Sequence, residues 1–234
     1  MTRGFFVTGT DTGVGKTVAA CALIRGLRNE GIDVGAMKPM ETGVDPVTGP
    51  LDAAALATAA GNVDPPELVC PVRFALPAAP NVAAAHEGKQ VDLDTVYRAF
   101  EELAARHDWL VVEGAGGLLV PTTDSATMAD LAAHLALPIV VVARPALGTI
   151  NHTRLTVEEA DRRGLELLGV VISHDQILSD ADTSNLGCLR EWLGDRLLAE
   201  IPLQEDTQQA RIEPAVIRQL IDRVERRLRF EDID

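Results

Sequence analysis

The sequence predicts an α/β fold, with a mostly parallel central sheet and helices packed on both of its faces. Three observations carry that reading. Short apolar runs alternate with amphipathic stretches along the chain, the pattern of strands joined by crossover helices. One run, Ile139-Val140-Val141-Val142-Ala143, is almost wholly β-branched, as suits a strand covered on both faces. A glycine-rich stretch, residues 9–17, falls between the first apolar run and an alanine-rich helical segment.

Taken in order, residues 5–8 read as the first strand and 16–30 as the first helix, closed by Gly31. Residues 34–38 form a short second strand, stopped by Pro39. Residues 52–60 read as a helix closed by Gly61. The stretch through Pro65, Pro66, Pro71, Pro77 and Pro80 reads as irregular and extended. Residues 93–107 form a helix with Val96, Phe100 and Leu103 on one face. Residues 109–112 make a buried strand ending at Glu113-Gly114-Ala115-Gly116-Gly117. A short helix at 128–135, the strand at 139–143, a helix at 151–163 closed by Gly164, and a strand at 168–172 follow. Residues 186–198 and 213–228 read as the last two helices, the second with an apolar stripe through Ile217, Leu220, Ile221, Val224 and Leu228. No repeat, low-complexity tract or linker interrupts the pattern, so residues 1–234 are expected to form one domain.

A chain of 234 residues is long enough for one sizeable core. No run approaches the roughly 20 uninterrupted apolar residues of a membrane span. The chain enters its first strand at once, so no signal peptide is expected. Cys21, Cys70 and Cys188 are scattered and odd in number, with no metal-ligand spacing and no disulfide framework. A cytoplasmic location is the expectation. The net charge of −14 argues against a nucleic-acid partner, whose phosphates would be repelled. A phosphate ligand held by local backbone dipoles is not excluded by that charge.

The glycine-rich stretch reads Gly9-Thr10-Asp11-Thr12-Gly13-Val14-Gly15-Lys16-Thr17. Between a strand and a helix, such a loop is a phosphate-binding P-loop. Its glycines let backbone N–H groups turn inward, and the helix N-terminus adds partial positive charge. The cradle residues are Thr12, Gly13, Val14 and Gly15. Lys16 reaches the β/γ-phosphates, and the Thr17 hydroxyl suits Mg²⁺. The usual pattern would place its first glycine at Thr10; here it stands one residue earlier, at Gly9. The chain has three lysines, Lys16, Lys38 and Lys89, so Lys16 is not one of many generic surface cations. The fold class is therefore P-loop NTPase-like.

In open α/β sheets, ligands bind beyond the carboxyl ends of the strands. That rule selects a second set of residues. Lys38 ends the second strand, where another ammonium would suit the charge on a transferring γ-phosphoryl group; a strand-end surface lysine is the plainer reading. Thr42 is either a substrate-contacting hydroxyl or a turn hydroxyl. Glu113 follows a hydrophobic strand, the Walker-B position for a carboxylate beside Mg²⁺. Gly114, Ala115 and Gly116 then let backbone approach a ligand. Asp52 opens a helix, as a metal ligand or as an N-cap. His86, His107 and His134 form no triad, and no serine stands in a nucleophile elbow, so covalent hydrolysis is not the chemistry.

Assembled, these pieces resemble the dethiobiotin synthetase family nearly end to end. They are Val7-Thr8-Gly9-Thr10-Asp11-Thr12 through Gly15-Lys16-Thr17, Lys38-Pro39 with Thr42-Gly43, Val112-Glu113-Gly114-Ala115-Gly116-Gly117, and Gly148-Thr149-Ile150-Asn151-His152. The resemblance implies a reaction in which 7,8-diaminononanoate takes up CO₂ as a carbamate. ATP activates the carbamate as a mixed anhydride, and the second amine closes the ureido ring. It implies Lys38 as a catalytic lysine beside Lys16, Thr42 as a substrate contact, and Thr17, Asp52 and Glu113 as the Mg²⁺ set. It further implies a homodimer in which Gly148, Thr149, Ile150 and Asn151 bind the substrate carboxylate of the neighbouring subunit. Where the family commonly carries Asn-Asp to read adenine, this chain has Ser173-His174, which implies relaxed base selectivity. Pro202, Leu203 and Gln204 correspond to a further base-contacting segment. The competing class is a P-loop switch ATPase of the partition or septum-site type. Those proteins carry a signature lysine at the position of Asp11 and a basic surface, and this chain has neither.

Overall fold

The computed structural model describes residues 2–174, 176–203 and 210–231. Six strands form its central sheet. In spatial order they are β2 (Val34–Met37), β5 (Trp109–Gly117), β1 (Arg3–Gly9), β6 (Ile139–Ala143), β7 (Leu167–Ser173) and β8 (Leu197–Ile201). Each neighbouring pair is parallel. From β1 the chain crosses to the edge strand β2, returns to β5 between them, and then steps outward on the other side through β6, β7 and β8. Because every pair is parallel, the carboxyl ends of all six strands share one edge.

Strand alternation sorts the core into two layers. Phe5, Val7, Val111, Val140 and Val142 face α1 (Lys16–Asn29), α2 (Leu51–Ala60) and α9 (Pro214–Glu231). Phe6, Leu110, Val112, Ile139 and Val141 face α5 (Leu93–Arg106), α6 (Met128–His134), α7 (Thr149–Arg162) and α8 (Asp180–Leu193). Phe5 and Phe6 are wholly buried on opposite sides of one strand. Truncating either to alanine would cost about 3–5 kcal/mol.

The proline-rich stretch is more regular than its composition suggests. It holds α3 (Pro66–Val69) and α4 (Pro80–His86), both with proline in the first turn, where the missing N–H is harmless. It also holds β4 (Val72–Phe74), which pairs with β3 (Met40–Thr42) in a separate two-stranded sheet. Two helix readings need correction. α8 spans Asp180–Leu193, not 186–198, and stops at Gly194 with φ 49°. The apolar residues that follow are strand β8. α7 spans Thr149–Arg162, so it starts two residues before 151, with Gly148 as its N-cap.

Helix starts differ in a way that bears on the site. α5, α6 and α8 are capped by their own Asp92, Thr127 and Ser179 side chains. α1 and α7 begin at left-handed glycines, Gly15 and Gly148, with no side-chain cap. In α7 the Thr149 N–H turns back to the Ala146 carbonyl at 2.9 Å, and the other first-turn N–H groups of the two helices are left to ligands or water.

Candidate active site

The P-loop joins β1 to α1 and is pinned at its start by Thr10 N–H donating to the Val142 carbonyl at 2.9 Å. The displaced glycine has a steric cause. A Cβ at Gly9 would lie 2.8 Å from the Asp11 carbonyl oxygen and 3.1 Å from Cδ of Lys16. Gly15 is equally constrained: its φ is +86°, and a Cβ there would lie 2.4 Å from Oγ of Ser173. Lys16 folds back across the loop and donates to the Asp11 carbonyl at 3.1 Å.

Beside the loop is a buried charge cluster. Lys38 Nζ donates to Glu113 Oε1 at 2.6 Å and to Asp52 Oδ2 at 2.8 Å. Thr17 Oγ1 donates to the same Glu113 oxygen at 3.0 Å. Glu113 is wholly buried and Lys38 nearly so, while the Asp52 side chain is about half open to solvent. Thus β5, α1 and α2 each contribute one member, and Lys38 comes from the residue just past β2. Asp52 does not cap its helix; its side chain is on Lys38. Burial pushes the Lys38 ammonium down, but the Glu113 and Asp52 carboxylates outweigh it and hold the group above the ordinary lysine range. Burial likewise pushes Asp52 up, yet the Lys38 charge leaves it below its ordinary value. Lys16 lies low, first through burial and then through the neighbouring Lys38 charge.

These groups line one cleft of about 580 Å³. Thr12, Gly13, Gly15, Lys16 and Thr17 form its floor. Lys38, Thr42, Asp52 and Glu113 form one wall, and Ala115 and Gly116 another. Val14 and Gly114 belong to the framework: Val14 is in the core, and Gly114 backs onto Phe6 and Met128. Ser173 ends β7, buried against Gly15. Next to it His174 is half-buried, its ring 3.5 Å from Glu200. Pro202 and Leu203 are exposed after β8, and Gln204 lies outside the described residues. The 148–151 segment is not in this cleft. Gly148, Ile150 and Asn151 line a second groove of about 470 Å³ with Leu147, Arg154 and Leu155, and Thr149 is buried behind it. One residue in the cleft wall, Glu41, was missed by sequence reasoning. No local pattern marks it, because its partners are backbone groups of a helix farther along the chain.

The donor set fits a hard divalent cation. Glu113 Oε2 is buried without a hydrogen-bond partner, and the Thr17 hydroxyl and Asp52 are its neighbours around Lys38. Magnesium takes few protein oxygens and completes its shell with water and phosphate. Accordingly, no cluster of three His, Cys, Asp or Glu residues of metal-binding form occurs among the described residues.

The raised Lys38 pKa has a kinetic consequence. The group stays protonated at neutral pH and loses its proton only above the ordinary lysine range. The kcat profile between about pH 7 and 9 should therefore keep its shape in Lys38→Arg, whatever the loss of rate. A basic limb present in the parent and absent from that variant would show that Lys38 titrates there.

Comparison with known proteins agrees with this geometry. Residues 3–211 match a family described as an AAA domain. The ATP-dependent dethiobiotin synthetase of Anaeromyxobacter dehalogenans strain 2CP-C is 57% identical over 172 residues, covering 73% of this chain and 76% of that protein. The corresponding protein of strain 2CP-1 is 56% identical over 171 residues, with the same coverage of 73% and 76%. Among solved structures, a ParA family ATPase from Chlorobium tepidum TLS aligns with a TM-score of 0.52 at 16% identity, over 95% of this chain and 90% of that one. At that identity it shares the fold and no more. With a P-loop cleft in place and more than half of the aligned residues identical, the chain belongs to the ATP-dependent dethiobiotin synthetase family.

Proposed function

We propose that the cleft between the P-loop and Lys38 is where this ATP-dependent ligase forms dethiobiotin, in biotin biosynthesis. The observation that carries the assignment of residues is that two ammonium groups, Lys16 on the P-loop and Lys38 on the buried Glu113 carboxylate, line one cleft. An amine of 7,8-diaminononanoate adds to CO₂ and loses a proton, giving a carbamate. A carbamate oxygen attacks the γ-phosphorus of ATP and ADP leaves. The second amine attacks the carbamoyl carbon, the C–O bond to phosphate breaks, a proton is lost, and the ureido ring closes.

Each residue has a physical task. The N–H groups of Thr12, Gly13, Val14 and Gly15 cradle phosphate oxygens, and Lys16 leaves its loop carbonyl for the β/γ-phosphates. Lys38, fixed by two carboxylates, holds positive charge at the transferring group without reorganising. Thr42 faces the substrate side of the cleft. Thr17, Asp52 and Glu113 would hold Mg²⁺, which when bound neutralises charge on the β- and γ-phosphates. The enzyme is read as one P-loop unit working in the cytoplasm; among its described residues no helix is long and apolar enough to cross a membrane. The direct test is incubation with ATP, Mg²⁺, bicarbonate and diaminononanoate, followed by mass analysis. Dethiobiotin and ADP should appear in equal amounts; ADP release without dethiobiotin would overturn the assignment.

The second groove supports a homodimeric site. The 148–151 segment begins an uncapped helix yet lies apart from the P-loop cleft of its own chain. Free N–H groups at a helix start suit a substrate carboxylate presented by a second subunit. A mixed dimer of Lys38→Ala and 148–151-substituted subunits should regain up to about half the parental activity, by the site counting of two-fold symmetry. No recovery in confirmed mixed dimers would refute the shared site.

Base selectivity is proposed to be relaxed. Ser173 is short, buried and packed close to Gly15, and His174 offers a different edge from an aspartate. Rates with GTP and CTP should fall less than about 10³-fold below that with ATP, a span of about 4 kcal/mol. Stronger discrimination against both would mean that backbone groups read adenine.

A further inference from the structure

Glu41 lies in β3, three residues past Lys38, and its side chain is nearly buried. Both carboxylate oxygens accept from the backbone of α2: Oε1 from the Asp52 N–H at 3.0 Å, Oε2 from the Ala53 N–H at 2.9 Å. These are orphan donors of the helix start, and Pro50 at the N-cap has no side chain to satisfy them. A serine or aspartate at position 50 could do so locally, without burying a carboxylate. Burial raises the Glu41 carboxyl, opposed by the same two N–H bonds. A distant, buried glutamate is thus a costly cap, and its geometry supplies the reason. The residue whose N–H it holds is Asp52, whose own Oδ2 meets Lys38 at 2.8 Å. Residues 38–41 therefore grip Asp52 twice, by backbone through Glu41 and by side chain through Lys38.

We propose that Glu41 is a positioning residue, whose two-oxygen cap on α2 sets the Asp52 carboxylate in register with Lys38 at the wall of the phosphate cleft. This rests on the reading of Asp52 as an active-site carboxylate. Glu41 itself touches no substrate in this account; it acts through Asp52 alone.

The experiment is a double-mutant cycle on the full chain: parent, Glu41→Gln, Asp52→Asn and the double variant, each assayed for kcat and KM for ATP. Calorimetric melting confirms that each variant is folded. Glutamine offers one acceptor oxygen and turns its NH₂ toward the other N–H, so one of the two bonds is lost. Glu41→Gln should lower kcat by about 10- to 100-fold, the scale of a misplaced active-site group, with KM changed by less than about threefold. In the Asp52→Asn background the same change should cost nothing further. A loss of equal factor in both backgrounds would overturn the proposal, as would an unchanged kcat or a loss confined to KM. An Asp52→Asn enzyme with parental turnover would instead overturn the Asp52 assignment on which the proposal stands. If Glu41→Gln does not fold, Glu41→Asp, one methylene shorter, runs the same cycle with the same outcomes.

Discussion

Lys16→Ala is expected to lower kcat by about 10²–10³-fold or more, the loss typical of one preorganised charge at a developing anion. At about 1.4 kcal/mol per tenfold this is roughly 3–4 kcal/mol of transition-state stabilisation. Neither of the other two lysines can take its place. The Lys38 ammonium is held by Glu113 and Asp52, and Lys89 is exposed on Glu87. Stability should change little, because Lys16 makes one hydrogen bond to a loop carbonyl and its pKa is already lowered by burial and by Lys38. A steady-state assay with a melting curve separates the two effects. Equal rates in variant and parent would refute the P-loop assignment.

Glu113→Gln should lower kcat by a similar factor, about 10²-fold, while leaving a folded protein. The Glu113 side chain is wholly buried, so deleting it would strand the Lys38 charge; removing one partner of a buried pair typically costs about 3–5 kcal/mol. Glutamine avoids much of that cost. Its carbonyl can still accept from Thr17 and Lys38, and Asp52 still neutralises Lys38. What it loses is the charge and the free Oε2, the two features that suit a metal. Activity titrated against Mg²⁺ should shift to higher concentration. A Glu113→Gln enzyme with unchanged Mg²⁺ dependence, or one that does not fold, would count against the role.

Much of this was legible because its signals are local. The P-loop is contiguous in sequence, and Lys38 and Glu113 each follow an apolar run directly. The carboxyl-edge rule then brings separate strands to one place without any knowledge of packing. What was not legible depends on contacts between distant segments. Glu41 looks like a loop acid until α2 is packed above it. Asp52 reads as a metal ligand or an N-cap until Lys38 is seen to hold its side chain. That Ser173 packs against a loop glycine more than 150 positions earlier has no signal in the sequence. Strand β8 is apolar enough to extend the helix before it, and a single 3-10 turn, Gly194–Arg196, separates the two. The start of α7 is hidden for a related reason: an asparagine near a helix start suggests a cap, but Gly148 takes the left-handed turn earlier.

The central claim is that ATP phosphorylates a carbamate in the Lys16–Lys38 cleft, and the path of one oxygen tests it. Enzyme, ATP and diaminononanoate in ordinary water are mixed with CO₂ labelled with oxygen-18 and quenched within a single turnover, before the label exchanges with solvent. If a carbamate oxygen attacks the γ-phosphorus and the ring-closing amine then breaks the C–O bond, each phosphate released carries one labelled oxygen and the ureido carbonyl keeps the other. Dethiobiotin formed alongside unlabelled phosphate would contradict it.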